Sequence, residues 1–119
     1  MLVIRPDQID AIRVVRLQSW LTAYLERSYP EEARHWRSTN LSDFVRATIG
    51  DARGRRITDD EDLRKYVHVA FILGRDFPSR YDWARRLLEN PDYHHPRARM
   101  RALEDDMLKV VAKATAQQS

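Results

Sequence analysis

Residues 57–91 read ITDDEDLRKYVHVAFILGRDFPSRYDWARRLLENP, and this stretch decides the fold. Thr58 and Glu61 have capping-box spacing, so each side chain can satisfy a free backbone N–H group at the start of a helix. Gly74 ends that helix, because glycine tolerates the left-handed backbone found at helix C-termini. Pro91 ends a second, shorter helix. The stretch therefore predicts two helices joined by an aromatic loop.

Apolar side chains recur every three or four residues along most of the chain, which is the spacing of an amphipathic helix. The helix at about residues 59–73 has the widest apolar face, so we expect it at the centre of the fold. Its predicted core residues are Leu63, Tyr66, Val67, Val69, Ala70, Phe71 and Leu73. Further helices are predicted from Pro6 to about 28, from Pro30 to about 37, from about 41 to Gly54, after Ser79 and from Pro96, with a frayed tail from about 115.

The composition is typical of a folded helical domain. The chain has 119 residues, of which 43% are hydrophobic and 33% are charged, and only three are glycine. A chain of this length can bury enough surface to fold without a disulfide or a metal ion. We therefore predict an all-α fold, a compact bundle of five to six helices that forms a single domain over residues 1–119.

Cysteine usage and apolar runs bear on the compartment. The chain has no cysteine, which excludes a disulfide framework and a thiolate zinc site. The longest apolar run, residues 69–73, is too short to cross a bilayer. The apolar start at residues 1–4 is too short for a signal peptide. We expect a cytoplasmic protein without a membrane partner.

The charge distribution argues against nucleic acid as the main partner. The net charge of +3 is spread evenly, without a basic block. An arginine cluster around Gly54 has the composition of a phosphate contact, but the helix that follows opens with four acids at residues 59–62, which repel a phosphate backbone. A small DNA-binding regulator is kept as an alternative. The cluster consists of Arg53, Arg55 and Arg56.

No constellation for catalysis or metal binding can be assembled from the sequence. A zinc site needs three or four ligands at defined spacing, whereas His94 and His95 are adjacent and far from His68. The sequence identifies no nucleophile or acid that could act together with His68 as a general base. The acidic run lacks the alternating ligands and central glycine of a calcium loop. We predict no catalytic residue, no metal and no cofactor, and hence no enzyme.

Aromatic and arginine residues crowd the junction after Gly74. Trp, Tyr and Arg dominate the energetics of protein interfaces, so this junction is a candidate partner-binding surface. The alternative is a loop that aromatic side chains hold against the core. Both interpretations can hold if Trp83 points inward and Tyr81 outward. The candidate partner-binding residues are Phe77, Arg80, Tyr81, Trp83, Arg85 and Arg86.

Most of residues 1–100 resembles a family of small proteins encoded beside type VI secretion spike and effector genes. The resemblance is a pattern of helix faces and helix ends. Two features depart from the pattern: Gly54-Arg55-Arg56-Ile57 replaces a Tyr-Gly-Ile sequence, and the segment between Phe77 and Trp83 is short. The shared residues are Ile4-Arg5-Pro6-x-Gln8, Tyr29-Pro30-Glu31, Gly54, Ile57, Asp62-Leu63, Tyr66-Val67, Leu73-Gly74-x-Asp76-Phe77, Trp83-Ala84, Leu88 and Asn90-Pro91.

The resemblance implies a non-enzymatic accessory protein, a co-chaperone or co-adaptor. Such proteins accompany a larger chaperone that loads a toxin onto the secretion spike. The implied partner is an effector chaperone, the effector toxin or a spike component. Two alternatives stay open on the residues alone. The chain could be an immunity protein that binds a toxin directly, and an apolar face on its first or last helix would serve a homodimer as well as a monomer core.

Overall fold

The computed structural model describes residues 6–36, 38–90 and 95–117. Every regular element within these ranges is an α-helix, which confirms the predicted all-α class. The helices are α1 (Pro6–Ser28), α2 (Pro30–Arg34), α3 (Ser38–Gly54), α4 (Asp60–Leu73), α5 (Phe77–Arg80), α6 (Asp82–Glu89) and α7 (Pro96–Gln117).

The described residues form seven helices where the sequence predicts five to six, and the extra one is the single turn α5. The sequence predicts a loop there, with Ser79 as the N-cap of the next helix. Pro78 instead lies in the first turn of α5, where its fixed φ suits a helix and its missing N–H costs nothing. Tyr81, with extended backbone (φ −120°, ψ 109°), is the N-cap of α6 in place of Ser79.

The chain divides into two compact units, residues 1–51 and 52–119, and the single domain expected from the sequence stays a prediction. Helix α3 begins in the first unit and ends in the second without a break. The first unit holds α1, α2 and most of α3, and the second holds α4 to α7. Each unit is described separately below.

In the first unit, α1 contacts α2, and a side chain joins α1 to α3. The amide nitrogen of Gln18 donates to the backbone carbonyl of Ser42 at 3.1 Å and lies 2.8 Å from its hydroxyl oxygen. The buried apolar side chains follow the helical spacing read from the sequence. They are Leu21, Leu25, Ala33, Leu41, Val45 and Ile49.

Pro30 determines where α1 ends and α2 begins. Tyr29, just before Pro30, is non-helical (φ −133°, ψ 63°), because a following proline disfavours the helical region. Its N–H still bonds the carbonyl of Leu25 at 2.8 Å, which completes the last turn of α1. Helix α2 ends at Arg34, three residues before the predicted end, and His35 is its C-cap.

In the second unit, α4 packs against α7, and α6 packs against α7 as well. Every residue of α4 from 62 to 70 is buried except Arg64, which fits its predicted place in the core. His68 joins the two long helices, since its Nδ1 atom lies 2.8 Å from Oε2 of Glu104 on α7. The fully buried apolar partners on α7 are Met100, Leu103 and Met107.

The start of α4 differs from the predicted capping box. Asp59 is the N-cap, and its carboxylate accepts a hydrogen bond from the N–H of Glu61 at 3.0 Å. Thr58 therefore precedes the cap. The predicted glycine stop is confirmed at the other end, where Gly74 (φ 105°) is the C-cap and its N–H bonds the carbonyl of Ala70 at 2.7 Å.

Helix α3 includes Gly54, and the left-handed residue at its C-terminal end lies two positions further along the chain. Gly54 is still helical, and the positive φ (66°) belongs to Arg56. The Arg56 N–H bonds the Arg53 carbonyl at 2.9 Å, and the Ile57 N–H bonds the Ala52 carbonyl at 3.1 Å. These two hydrogen bonds have the pattern of a Schellman motif. The sequence does not indicate this motif, because arginine occupies the position where glycine is usual.

Helix α7 runs from Pro96 through Gln117, and the fraying expected from about residue 115 stays a prediction. Thr115 contributes a bond from its hydroxyl to the carbonyl of Val111 at 3.0 Å. Near the other end of α7, the guanidinium of Arg99 donates to the carbonyl of Asn90 at 2.9 Å. That bond satisfies a carbonyl just after α6, where the helix leaves its own carbonyls without internal partners.

Candidate protein-binding surface

Two short helices and the residue between them position the candidate residues. Helix α5 is one turn, and Tyr81 ends it as the C-cap while serving as the N-cap of α6. The extended backbone at Tyr81 therefore changes the direction of the chain sharply between Arg80 and Trp83. Helix α6 then buries Ala84 and Leu88, which leaves its other faces to the arginines.

Phe77 belongs to the core. Its side chain is 0% exposed, and its ring packs against that of Tyr66 with centroids 5.1 Å apart and planes inclined at 57°. A tilted aromatic pair at this distance is a favourable packing arrangement. A fully buried side chain offers no area to a partner, so we remove Phe77 from the predicted partner-binding set.

Tyr81 and Trp83 are both half-buried, so neither the purely inward nor the purely outward orientation holds. Their ring centroids lie 5.9 Å apart with planes inclined at 54°. The guanidinium carbon of Arg80 lies 5.8 Å from the centroid of the Tyr81 ring, within the range of a cation–π contact. The three side chains therefore form one contiguous group.

Arg80, Arg85 and Arg86 are exposed and lie near acidic side chains of their own helices. Arg85 contacts Asp82 at 2.9 Å, and Arg86 lies 3.8 Å from the same carboxylate. Arg80 lies 3.7 Å from Asp76. Such exposed pairs contribute little free energy, so a partner carboxylate can replace either acid at small cost. We call Arg80, Tyr81, Trp83, Arg85 and Arg86 the α5–α6 surface.

The histidines do not come together in the described part of the chain. His68 is paired with Glu104 between α4 and α7. His95 lies just before α7 and is exposed, while His94 lies outside the described residues. Among the residues that the structure describes, no group of three or more His, Cys, Asp or Glu side chains is arranged to hold a metal ion.

The acidic run contains two carboxyl groups in contrasting environments. The N–H of Glu61 bonds the Asp59 carboxylate and lowers its pKa, with a further contribution from Arg97. Burial raises the pKa of Asp62, and the negative charge of Asp59 raises it further. Sequence reasoning assigned no separate role to Asp62. The available signal was its position next to Leu63, on the face of α4 that we predicted to be buried.

Helix α1, in the first unit, carries several exposed apolar side chains. Val15 is 60% exposed and Trp20 is 49% exposed. The Trp20 ring stacks on that of Tyr24 with centroids 5.4 Å apart. Ile12 is also exposed, and a few exposed apolar side chains are common on folded proteins.

Three comparisons with known proteins gave no match. No protein-family model, no curated protein and no solved structure matches the chain. Among the described helices, none combines the length and apolar character that crossing a bilayer requires.

Proposed function

We propose that this protein is a non-enzymatic accessory protein, a co-chaperone or co-adaptor, that binds an effector-specific chaperone or its effector during type VI secretion loading. The observation that carries the proposal is the α5–α6 surface, where a half-buried aromatic pair contacts Arg80 and two more exposed arginines follow on α6. Of the residues on this surface, Trp83 belongs to the pattern shared with the family. We place this activity in the cytoplasm, where effectors meet their chaperones.

The chemistry of the α5–α6 surface suits protein recognition. Tyr81 and Trp83 present apolar rings that are already held by packing, so little conformational entropy is lost when a partner covers them. Arginine adds planar, bidentate donors that match carboxylates. Aromatic and arginine side chains of this kind supply most of the binding free energy in measured interfaces.

The partner surface expected from this chemistry is acidic with an apolar centre. Three exposed arginines lie near two acids, Asp76 and Asp82, which leaves a local excess of positive charge. Complementary charge speeds association and selects the partner. A helix of the chaperone with glutamates or aspartates around a small apolar patch has the required complementarity.

Capture of the neighbouring chaperone by full-length protein tests the proposal. The tagged protein and variants Tyr81→Ala and Arg85→Glu would be co-expressed with the chaperone and effector encoded beside it. We expect each variant to weaken capture at least about tenfold, the effect of losing one hot-spot contact. Helical content should stay unchanged in both variants, and the melting temperature should stay unchanged in Arg85→Glu, because Arg85 is exposed.

Arg46→Glu is the matched control, since Arg46 is an exposed arginine in the middle of α3 and the charge change is the same. It should leave capture intact. Equal loss with Arg46→Glu would indicate a general charge effect and would contradict the α5–α6 surface. Recovery of the effector without any chaperone would favour the immunity function, and recovery of neither protein would overturn the proposal.

A further inference from the structure

A cleft lies where the N-terminal ends of α4 and α7 meet in the second unit. Its volume is about 520 Å³, within the range of small-ligand sites. None of the residues of the α5–α6 surface lines it. The lining consists of Asp59, Asp62, His95, Pro96, Arg97, Ala98 and Arg101.

Asp62 is the unusual member of the lining. It is only 3% exposed, and within the described part of the chain its Oδ1 atom has no hydrogen-bond partner. A buried polar atom without a partner costs on the order of 1–3 kcal/mol, so proteins seldom retain one without a reason. Asp62 is at the third position of α4, where its carboxylate has not bonded back to the N-cap as a capping-box acid would.

The Asp62 carboxyl can reach a ligand in the cleft. The last torsion of an aspartate side chain is broad and soft, so the two oxygens can rotate at little cost. The residue already lines the cleft, and no hydrogen bond at Oδ1 opposes the rotation. A donor that enters the cleft would therefore satisfy an oxygen that the folded chain leaves unsatisfied.

The α7 side of the cleft carries the opposite charge. Arg97 is engaged, since it lies 3.3 Å from Asp59 and 3.9 Å from Glu61. Arg101 is exposed and makes no ion pair with any residue that the structure describes. The cleft also borders the first turn of a 22-residue helix, whose N-terminal N–H groups favour a negative group.

The lining presents both signs of charge to a ligand. A simple anion would meet the carboxylates of Asp59 and Asp62, and a simple cation would meet the guanidiniums of Arg97 and Arg101. Two acids and two arginines balance, so a ligand with both charges gains attraction on both sides without repulsion from either. The unpaired members, Asp62 and Arg101, identify where each end of that ligand would bind.

We propose that this cleft binds a small zwitterion, an α-amino acid or a dipeptide. The ammonium group donates to the Asp62 carboxylate. The carboxylate accepts from Arg101 and from the N–H groups at the start of α7. This ligand chemistry is independent of the co-chaperone proposal, because the α5–α6 surface takes no part in it.

The test uses full-length protein with the standard L-amino acids and glycylglycine, each at about 10 mM. At that concentration a ligand with a Kd of about 1 mM nearly saturates its site. Amide chemical shifts of residues 60–63 and 97–101 report binding. We expect at least one of these compounds to bind, and its N-acetylated and amidated forms to bind at least about tenfold more weakly. Absence of any shift, or equal binding of a form with a single charge, would overturn the proposal.

Variants then assign the two ends of the ligand. Asp62→Asn and Arg101→Gln should each weaken binding at least about tenfold. Arg101 is exposed, so its substitution tests the site without disturbing the core. Lys109→Gln, an equivalent loss of one exposed positive charge farther along α7, should have no effect. Unchanged affinity in Arg101→Gln would exclude the proposed carboxylate contact.

Discussion

Arg56 occupies a backbone conformation that is costly for its side chain. Its positive φ of 66° forces Cβ towards the neighbouring carbonyl, at a cost of roughly 1–2 kcal/mol that glycine does not incur. We expect Arg56→Gly to raise the free energy of unfolding by about 0.5–1 kcal/mol, because the relief of this strain exceeds the cost of the additional chain entropy that glycine loses on folding. Urea titration would measure the change.

Arg55→Gly is the control for that substitution. Among the described non-glycine residues only Arg56 has positive φ, so glycine at position 55 loses chain entropy without relieving strain. It should lower stability. Stabilisation by both substitutions, or by neither, would contradict the assignment of Arg56 to the left-handed position of the Schellman motif.

Asp62 should make stability depend on pH in the opposite sense to a paired acid. Its pKa is raised by burial and by Asp59 and Glu61, against opposing contributions from Arg97 and Lys65. The folded state therefore takes up the proton first as pH falls, and it gains stability relative to the unfolded state. The gain develops as pH falls through the folded-state pKa towards the ordinary value of 3.8.

Comparison with Asp62→Asn isolates this contribution, because asparagine does not titrate and all other groups are shared. We expect the stability of the natural protein relative to the variant to rise between neutral pH and the acid limit. Urea titrations of both proteins across that range would measure it. A relative stability that falls with acidification would mean that Asp62 has a charged partner in the folded state.

At the scale of the element, Thr58 and Asp59 are the two candidate N-caps of α4, and the structure identifies Asp59. Asp59 accepts from the Glu61 N–H, and its pKa is lowered mainly by that bond, so this contribution is lost as pH falls through the folded-state pKa. We expect Asp59→Ala to lower the melting temperature by about 5 °C, the usual effect of losing an N-cap in a chain of this size.

Thr58→Ala should change the melting temperature by less than Asp59→Ala, because the N-cap is Asp59. Thermal unfolding followed by circular dichroism measures both variants under the same conditions. The reverse order would restore the capping box that the sequence predicts between Thr58 and Glu61.

At the scale of the whole molecule, the division at residue 51 raises the question of cooperativity. Helix α3 passes the boundary unbroken, and helix propagation couples residues on both sides. We therefore expect a single unfolding transition, as predicted for one domain. Tryptophan provides a probe in each unit, since Trp20 and Trp36 lie in the first and Trp83 in the second.

Two variants separate these probes. Trp83→Phe reports on the first unit only, and the double variant Trp20→Phe with Trp36→Phe reports on the second. Fluorescence melting temperatures that agree with circular dichroism of the same variant to within about 2 °C would indicate one cooperative unit. Separate transitions in either variant would establish two domains.

The sequence by itself determined the helical class and most helix faces. The spacing of Leu21 and Leu25, and of Leu63, Tyr66 and Val67, predicts side chains that the structure buries. Proline and glycine also determine ends, as at Pro30 and Gly74, because their effects on φ are local and need no tertiary partner.

Tertiary structure alone decided which residues at the helix ends and junctions are buried. Phe77 and Tyr81 are similar aromatic residues in one stretch, yet only Phe77 is fully buried, because Tyr66 on another helix packs against it. Asp62 is buried where α7 packs against α4. Local spacing gives the period of a face but not the neighbour that covers it. Only the tertiary structure therefore identified the cleft, and only it removed the buried Phe77 from the surface that the sequence predicts.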